Sequence, residues 1–146
     1  MRYILKLSEI QELWSVDSKI NPNDVGNESL NIPLLHSKYL NIMSKERLIY
    51  KALLEKKKQI SSTLEDYYDG KIDGRDIGRE PCQIKYSTKS QLEKAVESDK
   101  EIIQINLKIA ASEEIVLFCK EVIHSINQRN FIIKNYIDFK KFTEGF

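Results

Sequence analysis

The sequence predicts an all-α protein built around a long helical hairpin. Glycine and proline are rare among the 146 residues, five and three in number, and most of them fall in two clusters, Pro22–Pro33 and Gly70–Pro81. The chain between these clusters, and from the second cluster to Gly145, contains no glycine or proline that would stop a helix. Its apolar residues recur every three or four positions, as in a helix that packs on one side. The length suits a single domain with a modest core.

The first two predicted helices precede the second cluster. Apolar residues at 4, 5, 7, 10 and 13 predict a short helix over Arg2–Leu13. A second helix is predicted from about Pro33 to Tyr68, because a proline in the first turn lacks only an N–H that would be unpaired anyway. Its apolar stripe consists of Leu35, Ile42, Ile49, Leu53, Ile60, Leu64 and Tyr67. At 1.5 Å per residue this helix is roughly 50 Å long, so it needs another long helix to pack against.

That partner is predicted after a polar connection, in which Gln83–Tyr86 is compatible with a short strand. Ser98 and Glu101 have the spacing of a capping box, in which each side chain accepts a hydrogen bond from the other residue's backbone N–H. A third helix is therefore predicted from Ser98 to about Asn127. The polar run "NQRN" separates it from a fourth helix, Phe131–Phe142. The single domain 1–146 is thus divided into N-terminal helices (1–68), a polar connection (69–97) and C-terminal helices (98–146).

The third predicted helix has more apolar surface than one partner helix can cover. One set of positions alternates by three and four, which is the spacing of a coiled-coil seam, and other apolar residues such as Ile103, Leu107 and Leu117 lie off it. Either this helix is central and wrapped by the others, or one face packs within the subunit and another against further copies. We favour the second alternative and expect a homo-oligomer. The expected interface consists of Ile102, Ile105, Ile109, Val116, Cys119, Ile123 and Ile126.

Charge is distributed unevenly, although the formal net charge is only +1. Seven basic and two acidic residues lie in 38–58, whereas six acidic and three basic residues lie in 59–81. Helical spacing puts Arg47, Lys51 and Lys58 on one side, opposite the apolar stripe, and Lys57 beside that stripe. This surface is either a solvated helix face or a track for phosphates. As a phosphate track it would bind weakly and salt-sensitively in one subunit, and repetition in an oligomer would raise its avidity.

The sequence has no motif of catalysis, nucleotide binding or metal binding. The two histidines are isolated, and Cys82 and Cys119 are far apart, so we expect free thiols in a reducing compartment. Asp69, Asp73, Gly74 and Glu80 match four positions of an EF-hand loop, but Lys71 and Ile77 stand where oxygen ligands are needed. There is no membrane-spanning run and no signal-peptide pattern. We expect a cytoplasmic protein that is not an enzyme and holds no cofactor or metal.

The stretch "LEDYYDGKIDG" (64–74) follows the basic helix. Tyr67 continues the apolar stripe and is expected in the core. Tyr68 lies about 100° away around the helix, where it can stack on a nucleobase or pack in an interface. The glycines and aspartates predict a flexible polar turn that connects the two halves of the hairpin.

Six stretches together identify a family. They are "SKYLN" (37–41), "LEDYYDGKIDG" (64–74), "SDKEII" (98–103), "FCK" (118–120), "RNFIIK" (129–134) and the final "FTEGF". In this order and spacing, over nearly the whole chain, they resemble the UvsY family of recombination mediator proteins of tailed phages. The resemblance implies a small helical protein that forms rings of six or seven subunits through its C-terminal part and catalyses no reaction.

The resemblance also implies partners. Such proteins bind single-stranded DNA weakly and without sequence preference, and they bind the phage's RecA-like recombinase and its single-strand DNA-binding protein. They help to displace the latter so that the recombinase can load, and so act in homologous recombination, repair and recombination-dependent replication in the host cytoplasm.

One departure from the family concerns the DNA contacts. Basic residues directly precede the Leu-Asp-Tyr-Tyr run in the family, whereas the uncharged stretch 61–64 stands there in this chain. The family's earlier lysine pair matches Lys57 and Lys58. The DNA-binding residues expected here are therefore Arg47, Lys51, Lys56, Lys57, Lys58 and Tyr68. Two alternatives stay open: an oligomeric protein-interaction scaffold without DNA binding, and a duplex-DNA architectural protein, for which no recognition helix or intercalating wedge is evident.

Overall fold

A computed structural model of the chain describes residues 6–145 and confirms the all-α class. Its elements are α1 (Leu7–Asp17), α2 (Val25–Leu30), α3 (Ile32–Tyr68), a 3₁₀ turn (Gly74–Ile77), α4 (Lys89–Glu97) and α5 (Lys100–Glu144). No residue in the range 6–145 lies in a β-strand. The short strand suggested for Gln83–Tyr86 is therefore wrong. That segment is irregular and leads to Thr88, whose hydroxyl caps α4 by accepting from the Gln91 N–H at 3.2 Å.

The helices at the N-terminal end differ from the prediction in extent and number. α1 begins at Leu7 and continues beyond Leu13 to Asp17, while residues 2–5 of the predicted helix lie outside the described residues. The short helix α2 was not predicted, because six residues are too few to show a helical periodicity of apolar side chains.

Helix α3 agrees with the prediction at both ends. It begins at Ile32, with Pro33 in its first turn, and ends at Tyr68. Gly70, with φ of 77°, adopts the left-handed conformation that ends many helices. The Gly70 N–H donates to the Tyr67 carbonyl at 3.2 Å, and the Lys71 N–H donates to the Asp66 carbonyl at 2.9 Å. These two hydrogen bonds form a Schellman motif. Gly70 therefore ends α3 at the position that the sequence predicts.

Helix α5 is one helix of 45 residues, and the break predicted at "NQRN" is wrong. Arg129 within this polar run is buried, and its guanidinium donates to the carbonyls of Asp17 and Lys19 at 3.0 and 3.3 Å and forms an ion pair with Glu28 at 3.0 Å. The polar residue therefore faces the core instead of marking a linker. The predicted N-cap shifts by one residue, from Ser98 to Asp99, because the Asp99 carboxylate accepts from the Glu101 N–H at 2.9 Å, and α5 begins at Lys100.

The described chain forms two compact units, and α3 and α5 contribute to both. The first unit combines the chain up to Arg47 with the chain from Glu113 onward. Its core contains buried residues from α1, α3 and α5, and Trp14 packs edge-on against Tyr39 with 5.5 Å between the ring centroids. The buried residues are Ile10, Tyr39, Met43, Ile115, Val116, Cys119, Val122 and Ile126.

The second unit comprises Leu48–Ser112. Its core is smaller and consists of Leu64 of α3, Val96 of α4, and Ile102 and Ile105 of α5. Leu53, Ile60, Tyr68 and Ile109 pack around these residues, half-buried. In each unit, therefore, α3 and α5 pack on one another through apolar residues at helical spacing, as the hairpin prediction requires.

Candidate nucleic-acid interface

The lysine-rich part of α3 lies in the second unit. Lys51, Lys56 and Lys58 are exposed there, and Lys57 is half-buried. Arg47 is exposed at the end of the α3 segment that belongs to the first unit. Lys58 pairs with Glu55 at 3.1 Å, but both side chains are largely exposed, and such a pair contributes little to stability. Within residues 6–145 no carboxylate forms an ion pair with the other four cations.

The core of the second unit fixes which side of α3 faces solvent. Leu53, Ile60 and Leu64 pack into this core, so residues on the opposite side of the helix are held outward. Lys57 lies in register with these apolar residues, four positions after Leu53 and three before Ile60, which explains its partial burial. A lysine stem can cover apolar surface while its ammonium group remains in water.

The two adjacent tyrosines at the end of α3 are both held within the chain. Tyr67 is buried, as predicted, and its hydroxyl donates to the Glu80 carbonyl at 2.7 Å. Tyr68, predicted as a platform for a nucleobase, is half-buried, and its role in DNA binding stays a prediction. Its hydroxyl donates to Asp99 at 2.7 Å, and its ring packs edge-on against Tyr67 and Tyr86. Burial and the hydrogen bond to Asp99 raise the pKa of Tyr68 to about 12.

An ion-pair cluster fixes the connection between α3 and α5, and no pattern in the sequence predicts it. The Arg79 guanidinium donates to both Asp99 oxygens, at 2.5 and 2.9 Å, and to Glu101 at 3.0 Å. The hydrogen bonds from Arg79 lower the pKa of Asp99 to about 2, although burial alone would raise it. Because Asp99 also caps α5, this cluster ties the connecting segment to the start of that helix.

A groove opens beside the basic part of α3. It has a volume of about 280 Å³ and is lined by Gln59, Ile60, Thr63, Leu64, Ile77 and Glu101. The 3₁₀ turn contributes Ile77, and the start of α5 contributes Glu101. Sequence reasoning missed this groove, because its walls come from three segments that only the fold brings together.

The residues predicted as a subunit interface occupy the chain's own cores. Ile102 and Ile105 are buried in the second unit, and Val116, Cys119 and Ile126 are buried in the first. Ile109 and Ile123 are half-buried and pack against the same cores. In the described chain these side chains therefore pack within the subunit, and their contact with a second copy stays a prediction. The large apolar residues exposed on α5 are Ile103, Leu107, Leu117, Phe131, Ile132, Phe139 and Phe142.

The surroundings of the cysteines and of the aspartates in the Asp-Gly stretch are defined in the structure. Both thiols are free, and burial together with the Glu46 carboxylate raises the pKa of Cys119 to about 11, which disfavours its reactive thiolate. Asp69 pairs with Lys71 at 3.6 Å and Asp73 with Arg75 at 3.2 Å. In the described range 6–145, no group of three or more His, Cys, Asp or Glu residues is arranged to hold a metal ion.

Membrane insertion through a helix has no support in the described part of the chain. None of the helices between residues 6 and 145 combines the length and the apolar character that crossing a membrane requires.

These features define a class: a small helical protein with two long helices and an exposed basic segment on one of them. The model of the family described as "Recombination, repair and ssDNA binding protein UvsY" matches residues 13–146. The chain belongs to this family, and the resemblance drawn from the sequence is confirmed. No curated protein sequence matches the chain.

Solved structures share the fold. Three crystal structures of the bacteriophage T4 recombination mediator protein UvsY, in lattice types II, IV and I, superpose with TM-scores of 0.78, 0.81 and 0.78. In the same order, their sequences are 23%, 22% and 22% identical to this chain. The matches cover 96%, 95% and 92% of this chain, and 98%, 99% and 98% of the respective T4 chain. At this level of identity the likeness establishes the fold.

Proposed function

We propose that this protein is a recombination mediator that binds single-stranded DNA through the lysine-rich part of α3. The observation that carries the proposal is the set of exposed cations Lys51, Lys56 and Lys58, with Lys57 half-buried among them. Among the described residues 6–145, only Lys58 of this set pairs with a carboxylate. Phosphates attract such a segment without regard to base sequence, because the binding comes from charge and counterion release. Arg47 extends the cationic part of α3 toward the N-terminus in the sequence.

The proposed mediator acts as a ring-like homo-oligomer of six or seven subunits. The exposed apolar residues of α5, and in the first unit especially Phe131, Phe139 and Phe142, support self-association, because large exposed apolar patches usually mark interfaces. A few lysines per subunit give weak binding. Repetition of the same segment around an oligomer would raise avidity by roughly 10²–10⁴ without any new type of contact.

Two further protein partners belong to the proposal. The oligomer would bind the phage's RecA-like recombinase and its single-strand DNA-binding protein, loosen the latter from DNA, and so promote recombinase loading in the cytoplasm of the host. Family membership supports this sequence of events, which serves recombination, repair and recombination-dependent replication. The protein itself would supply binding surfaces and catalyse no reaction.

The substitution Lys57→Ala with Lys58→Ala tests the role of these lysines in DNA binding. Removing one phosphate interaction lowers the dependence of log K on log salt by roughly 0.7 for single strands, so the double variant is expected to bind more weakly and with a flatter salt slope. Fluorescence anisotropy of a labelled single-stranded oligonucleotide, titrated at several salt concentrations, measures both quantities.

The matched control is Lys94→Ala with Lys108→Ala, which removes the same charge from exposed positions of the second unit outside α3. It is expected to leave the slope nearly unchanged. A slope that is the same in wild type and in the Lys57/Lys58 variant would refute the assignment of these lysines. Absence of any single-strand binding at low salt would favour the scaffold alternative, and equal affinity for duplex would favour the architectural one.

A further inference from the structure

We propose that the groove lined by Gln59, Thr63 and Ile77 receives one unpaired nucleobase of the single strand whose phosphate contacts Lys56. This inference rests on the proposed function and deepens it, because it adds a base subsite to a surface so far described only by its charge. All the residues involved belong to the second unit.

The position of the groove suits a nucleotide that also contacts the basic segment. Lys56, Gln59 and Thr63 follow one another at spacings of three and four, so they lie on one side of α3. At 1.5 Å per residue, Lys56 and Gln59 are separated by about 4.5 Å along the helix axis. A phosphate at the exposed Lys56 ammonium therefore leaves its own base within reach of the groove.

The residues that line the groove suit the uncharged base of a nucleotide better than its phosphate. Ile60, Leu64 and Ile77 provide apolar walls, against which the face of any base can pack. One Glu101 oxygen accepts from Arg79 at 3.0 Å, and the carboxylate keeps the capacity to accept a hydrogen bond from a base amino or imino group. The apolar walls and this acceptor thus suit the base, whereas the cation of Lys56 suits the phosphate.

The polar groups of the groove tolerate different bases. The Gln59 amide offers both donors and an acceptor. The Thr63 hydroxyl donates to the Gln59 carbonyl at 3.1 Å and keeps its capacity to accept. A site of this kind distinguishes bases weakly, as sequence-independent binding requires. It does reject a duplex, because paired and stacked bases are not available to enter it.

The groove is large enough to admit the ring system of one base. Its volume of about 280 Å³ lies just below the roughly 300–1,000 Å³ of pockets that enclose drug-sized ligands. The competing occupant is an apolar side chain of a partner protein, which would need the same walls but would make DNA affinity independent of the bases.

The experiment compares a thymidine oligonucleotide with an abasic oligonucleotide of the same length and charge, each titrated by anisotropy against the full-length protein. Wild type is expected to bind the abasic strand about tenfold more weakly, with an unchanged salt slope, because the abasic strand keeps every phosphate and lacks only the bases.

Thr63→Phe fills the groove from an exposed position without changing charge. It is expected to lower thymidine binding to the abasic level and to leave abasic binding unchanged.

Ser62→Phe is the matched control, since it adds the same ring at the preceding residue, about 100° around the helix and outside the groove. It is expected to keep the wild-type preference for the strand with bases. Equal wild-type affinity for both strands, or an equal decrease in affinity for both strands in Thr63→Phe, would overturn the base subsite alone. Failure of the protein to bind either strand at low salt would overturn the proposed function together with the subsite.

Discussion

At the scale of single residues, Asp99 has the most tightly defined role. It accepts from Arg79 and from Tyr68, and it caps α5 through the Glu101 N–H. Because its pKa is lowered from 3.8 to about 2, the folded state gains stability from the ionised carboxylate above about pH 4 and loses it as the pH falls through 2. The shift corresponds to about 2 kcal/mol.

Asp99→Asn is therefore expected to lower the free energy of unfolding by about 2 kcal/mol at pH 7 and to flatten its decrease between pH 4 and pH 2. Urea denaturation at a series of pH values measures both effects. Glu101→Gln serves as the control, because Glu101 also pairs with Arg79 but is more than half exposed, so its effect should be small. A pH profile of Asp99→Asn that matches wild type would contradict the role of this carboxylate.

Single residues also show which features of the structure could be predicted from the sequence and which could not. The stripe on α3 correctly placed Tyr67 in the core, because helical spacing alone determines that face. The contacts of Tyr68 depend on Asp99 and Tyr86, which are distant in sequence, so no local pattern could indicate them. The same holds for the seam on α5: its spacing marked a buried face, but spacing does not tell whether the covering surface belongs to the same chain or to another.

At the scale of elements, the end of α3 depends on one glycine. Gly70→Ala places a side chain at φ of 77°, which is expected to lower the free energy of unfolding by about 1 kcal/mol. Gly26→Ala, within α2 and with no atom within 4 Å of the added methyl group, is expected to raise it by roughly 0.5 kcal/mol. Urea denaturation of both variants provides the comparison. A destabilising effect of equal size in both would show that the left-handed conformation is not what Gly70 supplies.

The elements with strong apolar periodicity were predicted well, and the short ones were not. Both ends of α3 were predicted, and the apolar seam of α5 was predicted over residues 102–126, nearly four heptads. The elements that were missed are α2 and α4. α2 is too short to show a period, whereas Leu92, Ala95 and Val96 of α4 do have helical spacing, but this segment was assigned to the polar connection. The false break in α5 arose because Arg129 is a buried polar residue, and polarity alone cannot distinguish such a residue from a solvated linker.

At the scale of the whole molecule, self-association is the feature that the exposed aromatic residues near the C-terminus support. Phe139 and Phe142 are 62% and 88% exposed. Replacing both by serine is expected to reduce an oligomer to particles of the subunit mass, 17.1 kDa, without loss of helical content. Light scattering and circular dichroism measure these quantities on the same sample.

The corresponding control is Leu30→Ser with Leu34→Ser, which removes apolar side chains of comparable exposure from the first unit. It is expected to leave the mass of the oligomer unchanged. An oligomer that persists in the Phe139/Phe142 variant would show that subunits meet through another surface.

In the proposed mediator, the α3 lysines bind single-stranded DNA and the homo-oligomer repeats this binding segment. One measurement tests both properties most directly. Anisotropy of a labelled single-stranded oligonucleotide, titrated with the purified wild-type protein over a range of salt concentrations, is combined with light scattering on the same sample. We expect an oligomer that binds single strands in preference to duplex, with an affinity that falls steeply as salt rises. An oligomer that ignores single-stranded DNA even at low salt would contradict the mediator proposal and leave the lysines of α3 as a solvated surface.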